Sequence, residues 1–430
     1  MTKTTPCRAP ACAYSVAAML GLACALPAQA TDGYFSHGYG MKSMGMGGAS
    51  VAVTDNAFAG ANNPAIAAWA GDRLALGVNV FMPSRGMQRS GGAALPAAAV
   101  DSDSNTFYVP ELDYNRSLSA QLAVGLTVYG NGGMNTDYAG SNYNCGGGPN
   151  TSNVLCGNGR LGVDLQQLII APTVAYKVSE NQSLGVSPLL VRQIFKADGL
   201  QGFSAMSGDA GHLTNNGYDA SSGIGLRLGY LGQWSSGLGL GLSYSPRTSM
   251  SKFSQYAGLF ADGGSFDIPE NYAVGLSYQA TPALQLAADY QMIKYGAVPA
   301  IANASSNAAP LGAASGPGFG WSDVNVYKLG LQWQATPALQ LRAGVNISDN
   351  PVKSSNVTFN ILAPGVMTTH YTLGATYALS SRSELTLAYM YAGSNSVTGA
   401  SMYSGLGMPA GNETVRMSQQ SLGLQWGWKF

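Results

Sequence analysis

The side chains best suited to catalysis or metal binding in this chain are its three histidines, His37, His212 and His370. A hydrolytic site needs a histidine beside a nucleophile or a carboxylate, and a metal site needs several ligands at short spacing. The three histidines are far apart in the sequence and stand in no such motif. We therefore predict that the protein is not an enzyme and that it carries no cofactor or metal ion.

The amino terminus, residues 1–30, has the features of a secretory signal peptide. Lys3 and Arg8 precede an apolar core at 11–26, and "ALPAQA" ends in an Ala-x-Ala pattern that predicts cleavage after Ala30. Cleavage before Cys24, as in a lipoprotein, is the weaker alternative, because a glycine stands where such sites prefer leucine. We therefore expect a secreted chain that begins after residue 30.

Only two cysteines, Cys145 and Cys156, follow the predicted signal peptide, and both lie in a loop rich in Gly and Asn. A secreted protein lies in an oxidising compartment, where a pair of loop cysteines favours a disulfide. A metal site is the less favoured alternative, because no histidine lies nearby. The sequence thus predicts a Cys145–Cys156 disulfide.

Low charge and strong alternation characterise the rest of the chain. Of its 430 residues 10% are charged, against roughly 25% in a typical soluble domain. Alternating stretches of about ten residues recur, as in tilted membrane strands. In "QQSLGLQWGWKF", Leu422, Leu424, Trp426, Trp428 and Phe430 share one face, and small or polar residues share the other. Soluble sandwiches also alternate, but this composition favours a membrane β-barrel.

Short turns and long loops determine the number of strands. The octapeptide "QATPALQL" at 279–286 and 334–341 contains Thr-Pro, a turn signal, between two alternating runs. Similar short turns follow Tyr114, Tyr176, Tyr230, Tyr278, Trp333 and Tyr377, and seven long connections separate the hairpins. Six turns and seven loops predict an all-β, 14-stranded antiparallel barrel over residues 72–430, with both ends in the periplasm.

Residues 31–71 precede the first predicted strand and do not alternate. They are rich in Gly and Ala and contain three methionines. A segment of about 40 residues rarely folds alone, and 14 strands enclose more space than their own side chains fill. We therefore predict that residues 31–71 form a hatch, or plug, in the lumen of the barrel.

The segment "GYGMKSMGMGGASVAVTDNAFAGANNPA" resembles the N-terminal hatch of the FadL/OmpP1/TodX family of outer-membrane transporters for hydrophobic compounds. The family's Asp followed by small residues matches Asp55, and its Asn-Pro-Ala matches Asn63, Pro64 and Ala65. The resemblance continues through "IPENYAVGLSYQATPALQLAADYQMIKY" to the final Phe430 and covers nearly all of the mature chain.

The resemblance implies transport without a coupled energy source. Substrate would be captured between extracellular loops, pass to a lumen pocket above the hatch, and leave sideways into the outer leaflet. In the family, a kink in the third strand opens the barrel wall, and this kink matches Tyr129 and Gly130 in "GLTVYGNGG". Gly within a strand marks a bend; the alternative is a strand that simply ends in a Gly-rich loop.

Several charged residues are candidates for binding a fatty carboxylate, because cations form charge-assisted bonds with it. Alternation directs Lys328 inward, and Arg192 and Lys196 lie at the extracellular end of the fifth strand. The other residues predicted to face inward are Arg73, Arg227, Asp289 and Arg342. These charges could instead line a hydrated lumen and hold the hatch. They do not match the family's fatty-acid-binding cations one for one, so a neutral substrate remains an alternative to a fatty acid.

Apolar residues provide a second set of ligand-binding candidates. Met41, Met44 and Met46 could line a compliant pocket, and packing within the hatch is the alternative. The apolar loop segments at 94–100 and 257–260 are candidates for the capture site.

We therefore expect an outer-membrane protein of a Gram-negative bacterium that moves long-chain fatty acids or other hydrophobic compounds by passive lateral diffusion. The alternatives are an aromatic-hydrocarbon uptake channel and a surface-exposed barrel that acts as an adhesin or antigen. Expected partners are the hydrophobic ligand, outer-membrane lipid and lipopolysaccharide, and the barrel-assembly machinery, which would contact the last strand ending in Phe430. We expect a monomer and no nucleic-acid partner.

Overall fold

A single antiparallel sheet closes on itself to form the barrel. The computed structural model describes residues 32–55, 58–140, 143–145 and 151–430, so the predicted signal peptide lies outside the described residues. Apart from the second, which pairs with the first, the fifteen strand segments follow one another in chain order around the sheet, and the first and last pair with each other. Among the described residues, no helix is long and apolar enough to cross a membrane.

The strand segments occupy 14 positions in the barrel. They are β1 (Arg73–Arg89), β2 (Ala98–Asp101), β3 (Phe107–Ser117), β4 (Leu122–Tyr138), β5 (Leu161–Ser179), β6 (Gln182–Asp198), β7 (Asp219–Gln233), β8 (Leu238–Ser245), β9 (Asn271–Thr281), β10 (Leu284–Ile293), β11 (Val324–Gln334), β12 (Leu339–Ser348), β13 (Thr369–Ala378), β14 (Ser383–Ala400) and β15 (Asn412–Lys429). Both β2 and β3 pair with β1, at 86–89 and at 73–81 respectively, and so share one position. The predicted 14-stranded antiparallel barrel is confirmed.

Short helices occur before β1 and in the long loops. The α-helical turns are Met41–Met44, Ala59–Asn62, Ala67–Ala70, Ala261–Gly264, Pro299–Ala302 and Met402–Gly405. The 3-10 turns are Pro64–Ile66, Gln201–Met206, Ala210–His212, Ser254–Tyr256, Tyr295–Ala297, Ser354–Asn356 and Phe359–Ile361. None exceeds six residues in the described chain, so the strands alone form the wall.

The six short turns lie where the sequence predicts them, and both copies of "QATPALQL" connect paired strands. At the opposite end the strands run further than predicted: β1 continues to Arg89, and β14 continues to Ala400. These extensions pair with β15, Arg89 with Glu413 and Ala400 with Asn412. Parts of the predicted loops at 83–103 and 393–414 are therefore strand, because a neighbouring strand of equal length supplies ladder partners.

The wall alternates as predicted. Leu422 and Leu424 on β15 are 50% and 43% exposed, whereas Ser421 and Gln425 on either side of them are buried. Exposed apolar side chains recur on the outward face of the other strands, where lipid would cover them.

Residues 32–55 and 58–70, which we call the hatch segment, pack against the inward face of the barrel, and paired glycines make this close approach possible. Gly185 on β6 pairs with Gly229 on β7. A Cβ atom on Gly185 would lie 2.3 Å from the carbonyl carbon of Pro64, and one on Gly229 would lie 2.1 Å from Oδ1 of Asn63. Any larger residue in this pair would collide with the hatch segment.

Two further glycine pairs follow around the wall. Gly241 and Gly275 pair on β8 and β9, and Cβ atoms there would lie 2.0 Å and 2.7 Å from atoms of Val51. Gly330 and Gly344 pair on β11 and β12 and face Met46 in the same way. The hatch segment therefore follows a belt of inward-facing glycines.

We expect Gly229→Val to displace the hatch segment without unfolding the barrel. The new side chain would take the place of the Asn63 amide oxygen, whereas a β-branched residue favours strand geometry. Ion conductance of the refolded barrel in a planar bilayer should rise as the lumen opens. The matched control is Gly393→Val on β14, whose nearest neighbour would be 3.7 Å away. Wild-type conductance of Gly229→Val would contradict this expectation.

Candidate functional site

Asp55 is the centre of an ion network that joins the hatch segment to the wall. Its carboxylate lies 2.9 Å from Nζ of Lys42, 3.5 Å from Arg342 and 4.0 Å from Arg73. Burial alone would raise the pKa of Asp55, but these three cations lower it below the usual range. Lys42 also contacts Glu384 at 2.8 Å. Arg73 and Arg342 thus face inward and bind the hatch segment.

The Asn-Pro-Ala motif forms a tight turn that is bonded to the neighbouring strands. Oδ1 of Asn63 accepts from the Ala65 amide at 3.1 Å, and its Nδ2 donates to the Val51 carbonyl at 2.8 Å. Nδ2 of Asn63 also donates to the Tyr230 carbonyl at 2.9 Å. Pro64 begins a 3-10 turn, and the carbonyl of Ala65 accepts from Ser183. The motif therefore fixes the hatch segment to β6 and β7.

Lys328 and Asp289 lie together on the inward face. The carboxylate of Asp289 accepts from the amides of Ser50 and Val51 at 2.7 and 3.0 Å. Nζ of Lys328 donates to Gln291 at 2.9 Å. Both residues line a small polar cavity of about 30 Å³ beside the hatch segment. Asp289 binds the hatch segment, and Lys328 remains a candidate for contact with a ligand.

The third strand position contains an interruption at the predicted kink. The register of β4 against β5 shifts between Gly130 and Gly132. On its other edge β4 pairs with β3 only along 123–128. A Cβ on Gly130 would lie 3.0 Å from Cγ1 of Val109, a buried residue of β3. Between β3 and the upper part of β4 the described residues therefore leave a gap in the ladder.

The hatch segment supplies backbone partners at this gap. Phe35 forms a bridge with Gly132, the amide of Ser36 donates to the Asn131 carbonyl at 3.2 Å, and the amide of Gly133 donates to the Tyr34 carbonyl at 3.1 Å. These bonds replace part of the ladder that β3 does not form. The gap ends at Tyr138, which forms a bridge with Ser102.

Tyr129 connects the kink with the centre of the hatch segment. Its ring is 1% exposed and lies 4.7 Å from the ring of Tyr39. Its hydroxyl accepts from Nη1 of Arg227 at 3.2 Å, and the same Nη1 donates to the Gly60 carbonyl at 3.0 Å. The hydroxyl of Tyr39 donates to the Asn131 carbonyl at 3.0 Å. Movement at the kink would therefore disturb contacts of the hatch segment.

Above the gap, the long loops enclose a small apolar cavity of about 40 Å³. Its lining includes the aromatic residues Phe195, Phe203, Phe260, Phe319 and Phe359. None of the described residues that line it is charged. Of the two apolar loop segments, 257–260 contributes to the lining and 94–100 does not.

Tyr295 joins the loops around this cavity to the hatch segment. Its hydroxyl donates to the Asp32 carbonyl at 2.6 Å and accepts from the amides of Tyr34 and Phe35 at 3.1 and 3.3 Å. Its ring lies 5.3 Å from the ring of Trp321, which in turn lies 6.1 Å from the ring of Phe319 in the cavity wall. Sequence reasoning missed Tyr295, because only the fold brings its loop to residues 32–35.

Arg192 and Lys196 face away from the lumen, which corrects their proposed place near the ligand pocket. Arg192 is exposed and donates to Ser222 at 2.9 Å, and Lys196 pairs with Asp198 at 3.0 Å. The inward positions of β6 belong to the alternate residues, among them Phe195 of the cavity wall. Strand alternation therefore places the two cations on the outer surface.

The three methionines pack the hatch segment against the wall. Met41 and Met44 cluster with Ala388, and Met46 lies against Gly330 and Gly344. They do not belong to the described lining of the apolar cavity. Their positions agree with the packing alternative.

Two histidines that are distant in the sequence come together between the hatch segment and β13. The rings of His37 and His370 stack at 6.0 Å. Burial, with His370 and Lys328 nearby, lowers the pKa of His37 to about 3, so it stays neutral. His212 is exposed and pairs with Asp209. No group of three metal-binding side chains occurs in the described ranges.

Cys145 and Cys156 form a disulfide with their Cα atoms 5.7 Å apart. The residues before Cys156 enter the loop layer, where Val154 and Leu155 are fully buried. Val154 and Leu155 thus hold the segment before Cys156 in the hydrophobic core.

The fold is a 14-stranded barrel with the hatch segment packed in its lumen. Its third strand is interrupted, and an apolar cavity lies under its loops. Together these features define an outer-membrane transport barrel. Residues 36–430 match the family described as "Outer membrane protein transport protein (OMPP1/FadL/TodX)". The chain belongs to this family of outer-membrane transporters for hydrophobic compounds.

Solved structures share the fold at low sequence identity. The toluene transporter TodX of P. putida is 19% identical with a TM-score of 0.67, and the match covers 92% of this chain and 99% of that one. A FadL homologue of Pseudomonas aeruginosa is 15% identical with a TM-score of 0.67, covering 93% and 100%. The toluene transporter TbuX of Ralstonia pickettii is 19% identical with a TM-score of 0.63, covering 92% and 99%. No curated protein matches the chain.

We expect Tyr295→Phe to loosen residues 32–36 while the barrel stays folded. Two amides and one carbonyl lose a buried partner, which should cost about 1–3 kcal/mol of local stability. Amide hydrogen exchange of residues 32–36 should become faster. The matched control is Tyr290→Phe, which removes a hydroxyl bond to Asn325 outside the lumen. Equal exchange in wild type and Tyr295→Phe would show that this hydroxyl does not hold the segment.

Proposed function

We propose that this protein takes up small, uncharged hydrophobic compounds, with aromatic hydrocarbons as the favoured class. The apolar cavity carries this proposal, because five of its thirteen described lining residues are phenylalanine and none is charged. Apolar ligands gain about 0.8 kcal/mol for each buried CH₂ group, and aromatic ligands also gain from ring contacts.

Long-chain fatty acids are the second candidate, and the position of the cations supports uncharged compounds over them. A carboxylate buried in an apolar site needs a charged or hydrogen-bonding partner. Arg192 and Lys196 face outward. Lys328 lies in the separate polar cavity and is bonded to Gln291. A fatty acid would therefore have to reach Lys328 past the hatch segment.

The proposed route runs from the apolar cavity to the gap between β3 and β4 and then into the outer leaflet. The aromatic residues Phe319, Trp321 and Tyr295 follow one another from the cavity to residues 34–36 at the gap. Displacing residues 34–36 would uncover the interrupted ladder. No energy source is needed, because an apolar compound moves down its gradient into lipid.

Uptake of labelled toluene and labelled oleate in a strain that lacks its own hydrophobic-compound transporters tests the proposed substrate class. Expression of this protein should increase toluene uptake strongly and oleate uptake little. Lys328→Met should leave toluene uptake unchanged, because its ammonium lies outside the apolar cavity. Oleate uptake that exceeds toluene uptake and falls in Lys328→Met would overturn the assignment in favour of fatty acids.

We expect Gly130→Val to reduce uptake without affecting folding or surface expression. The added Cβ would lie 3.0 Å from Cγ1 of Val109 across the gap, so the larger side chain would narrow the exit. Gly393→Val is again the matched control, because its Cβ would make only ordinary contacts. The measurement is the initial rate of toluene uptake at equal amounts of folded barrel. Wild-type uptake by Gly130→Val would reject an exit at this position.

A further inference from the structure

A buried ion pair lies at the extracellular end of the strands that close the barrel. Arg89 on β1 and Glu413 on β15 are direct register partners. Nε and Nη2 of Arg89 donate to Oε1 of Glu413 at 2.9 and 2.5 Å. Arg89 is 4% exposed and Glu413 is fully buried. A buried ion pair is weak evidence for stability, because both charges lose their hydration, so its role needs another explanation.

Three extracellular loops are bonded to this pair. Arg89 donates to the carbonyl of Val154 at 2.9 Å. The second carboxylate oxygen of Glu413 accepts from the hydroxyl of Thr358, which accepts in turn from the amide of Met402. The loops around residues 154, 358 and 402 therefore meet at a single ion pair.

The same contacts fix two aromatic residues of the apolar cavity. Phe359, which follows Thr358, and Phe203 both line the cavity, with their rings 5.3 Å apart. The ring of Phe203 also stacks on Tyr403 at 6.2 Å. The guanidinium of Arg89 lies 6.0 Å from the Tyr403 ring. Phe203 and Phe359 thus form a phenyl wall of the cavity, and the ion pair lies behind this wall without lining the cavity.

We propose that Arg89 and Glu413 are specificity-determining positioning residues that set the upper size limit of the compound admitted to the cavity. This inference rests on the proposed function. The pair does not touch the ligand. It anchors the backbone of three loops, so the phenyl wall formed by Phe203 and Phe359 cannot move outward to admit a larger compound.

The test replaces the pair with apolar side chains, Arg89→Met together with Glu413→Leu, so that no unpaired charge stays buried. Uptake of toluene, with one ring, and of phenanthrene, with three, is measured at equal amounts of heat-modifiable, folded barrel. The ratio of phenanthrene to toluene uptake should rise roughly tenfold, the scale on which a fixed apolar pocket discriminates by size. A purely structural role would change both rates in equal proportion.

Two further variants keep the test decisive. Thr358→Val removes only the hydroxyl that joins Glu413 to Met402, and it should shift the ratio in the same direction by less. Arg160→Gln is the matched control, because its exposed pairs with Asp103 and Asp137 lie away from the cavity lining, and it should keep the wild-type ratio.

The outcomes separate this inference from the proposed function. If the wild type takes up neither compound, the proposed function fails. If the wild type takes up toluene but the double variant and Thr358→Val keep its size ratio, the positioning role is overturned. If the double variant does not fold, the ratio measured for Thr358→Val alone decides. An equal shift in Arg160→Gln would also overturn the inference, because loosening any loop would then suffice.

Discussion

The structure depends on one constraint: a strand in a membrane wall must satisfy its backbone groups even where its neighbour does not reach it. An unpaired peptide group in contact with lipid costs several kcal/mol. Above Val128, β4 loses its ladder to β3, and the amides and carbonyls of residues 34–36 replace part of it. Residues 34–36 of the hatch segment therefore act as a substitute for part of a strand at the gap.

Two separate sets of contacts hold the two ends of the hatch segment. Tyr295 binds residues 32–35 from the loop side, next to the aromatic residues of the cavity wall. The ion network of Asp55 and the turn at Asn63 hold the other end, on the belt of glycines. The proposed route needs residues 34–36 to leave β4, and the contacts of Asp55 and Asn63 do not involve those residues. Such a local movement would open a path to lipid without opening a water-filled pore.

The barrel can be predicted because its signals are local in the sequence. The site is harder to predict, because contacts between residues far apart in the sequence build it. Alternation and Thr-Pro turns fixed the strand number and the hairpins, because period two and turn chemistry are encoded within about ten residues. The inward position of Lys328 followed from the same alternation. The position of Arg192 and Lys196 at a strand end predicts that they lie near the pocket, but the alternation of β6 directs them outward. The contact of Tyr295 with the hatch segment joins residues about 260 positions apart, and no local signal encodes it.

The most direct test of the account is a reversible bond across the gap. Because a Cβ on Gly130 would lie 3.0 Å from Val109 Cγ1, Val109→Cys combined with Gly130→Cys should approach the Cβ separation of about 3.5–4.5 Å that a disulfide needs. Toluene uptake is measured in the oxidised state and again after reduction, with the wild type treated in the same way to account for Cys145 and Cys156. The account predicts low uptake while the bond is intact and recovery after it is reduced. Equal uptake in the two states, with the bond verified, would contradict an exit between β3 and β4.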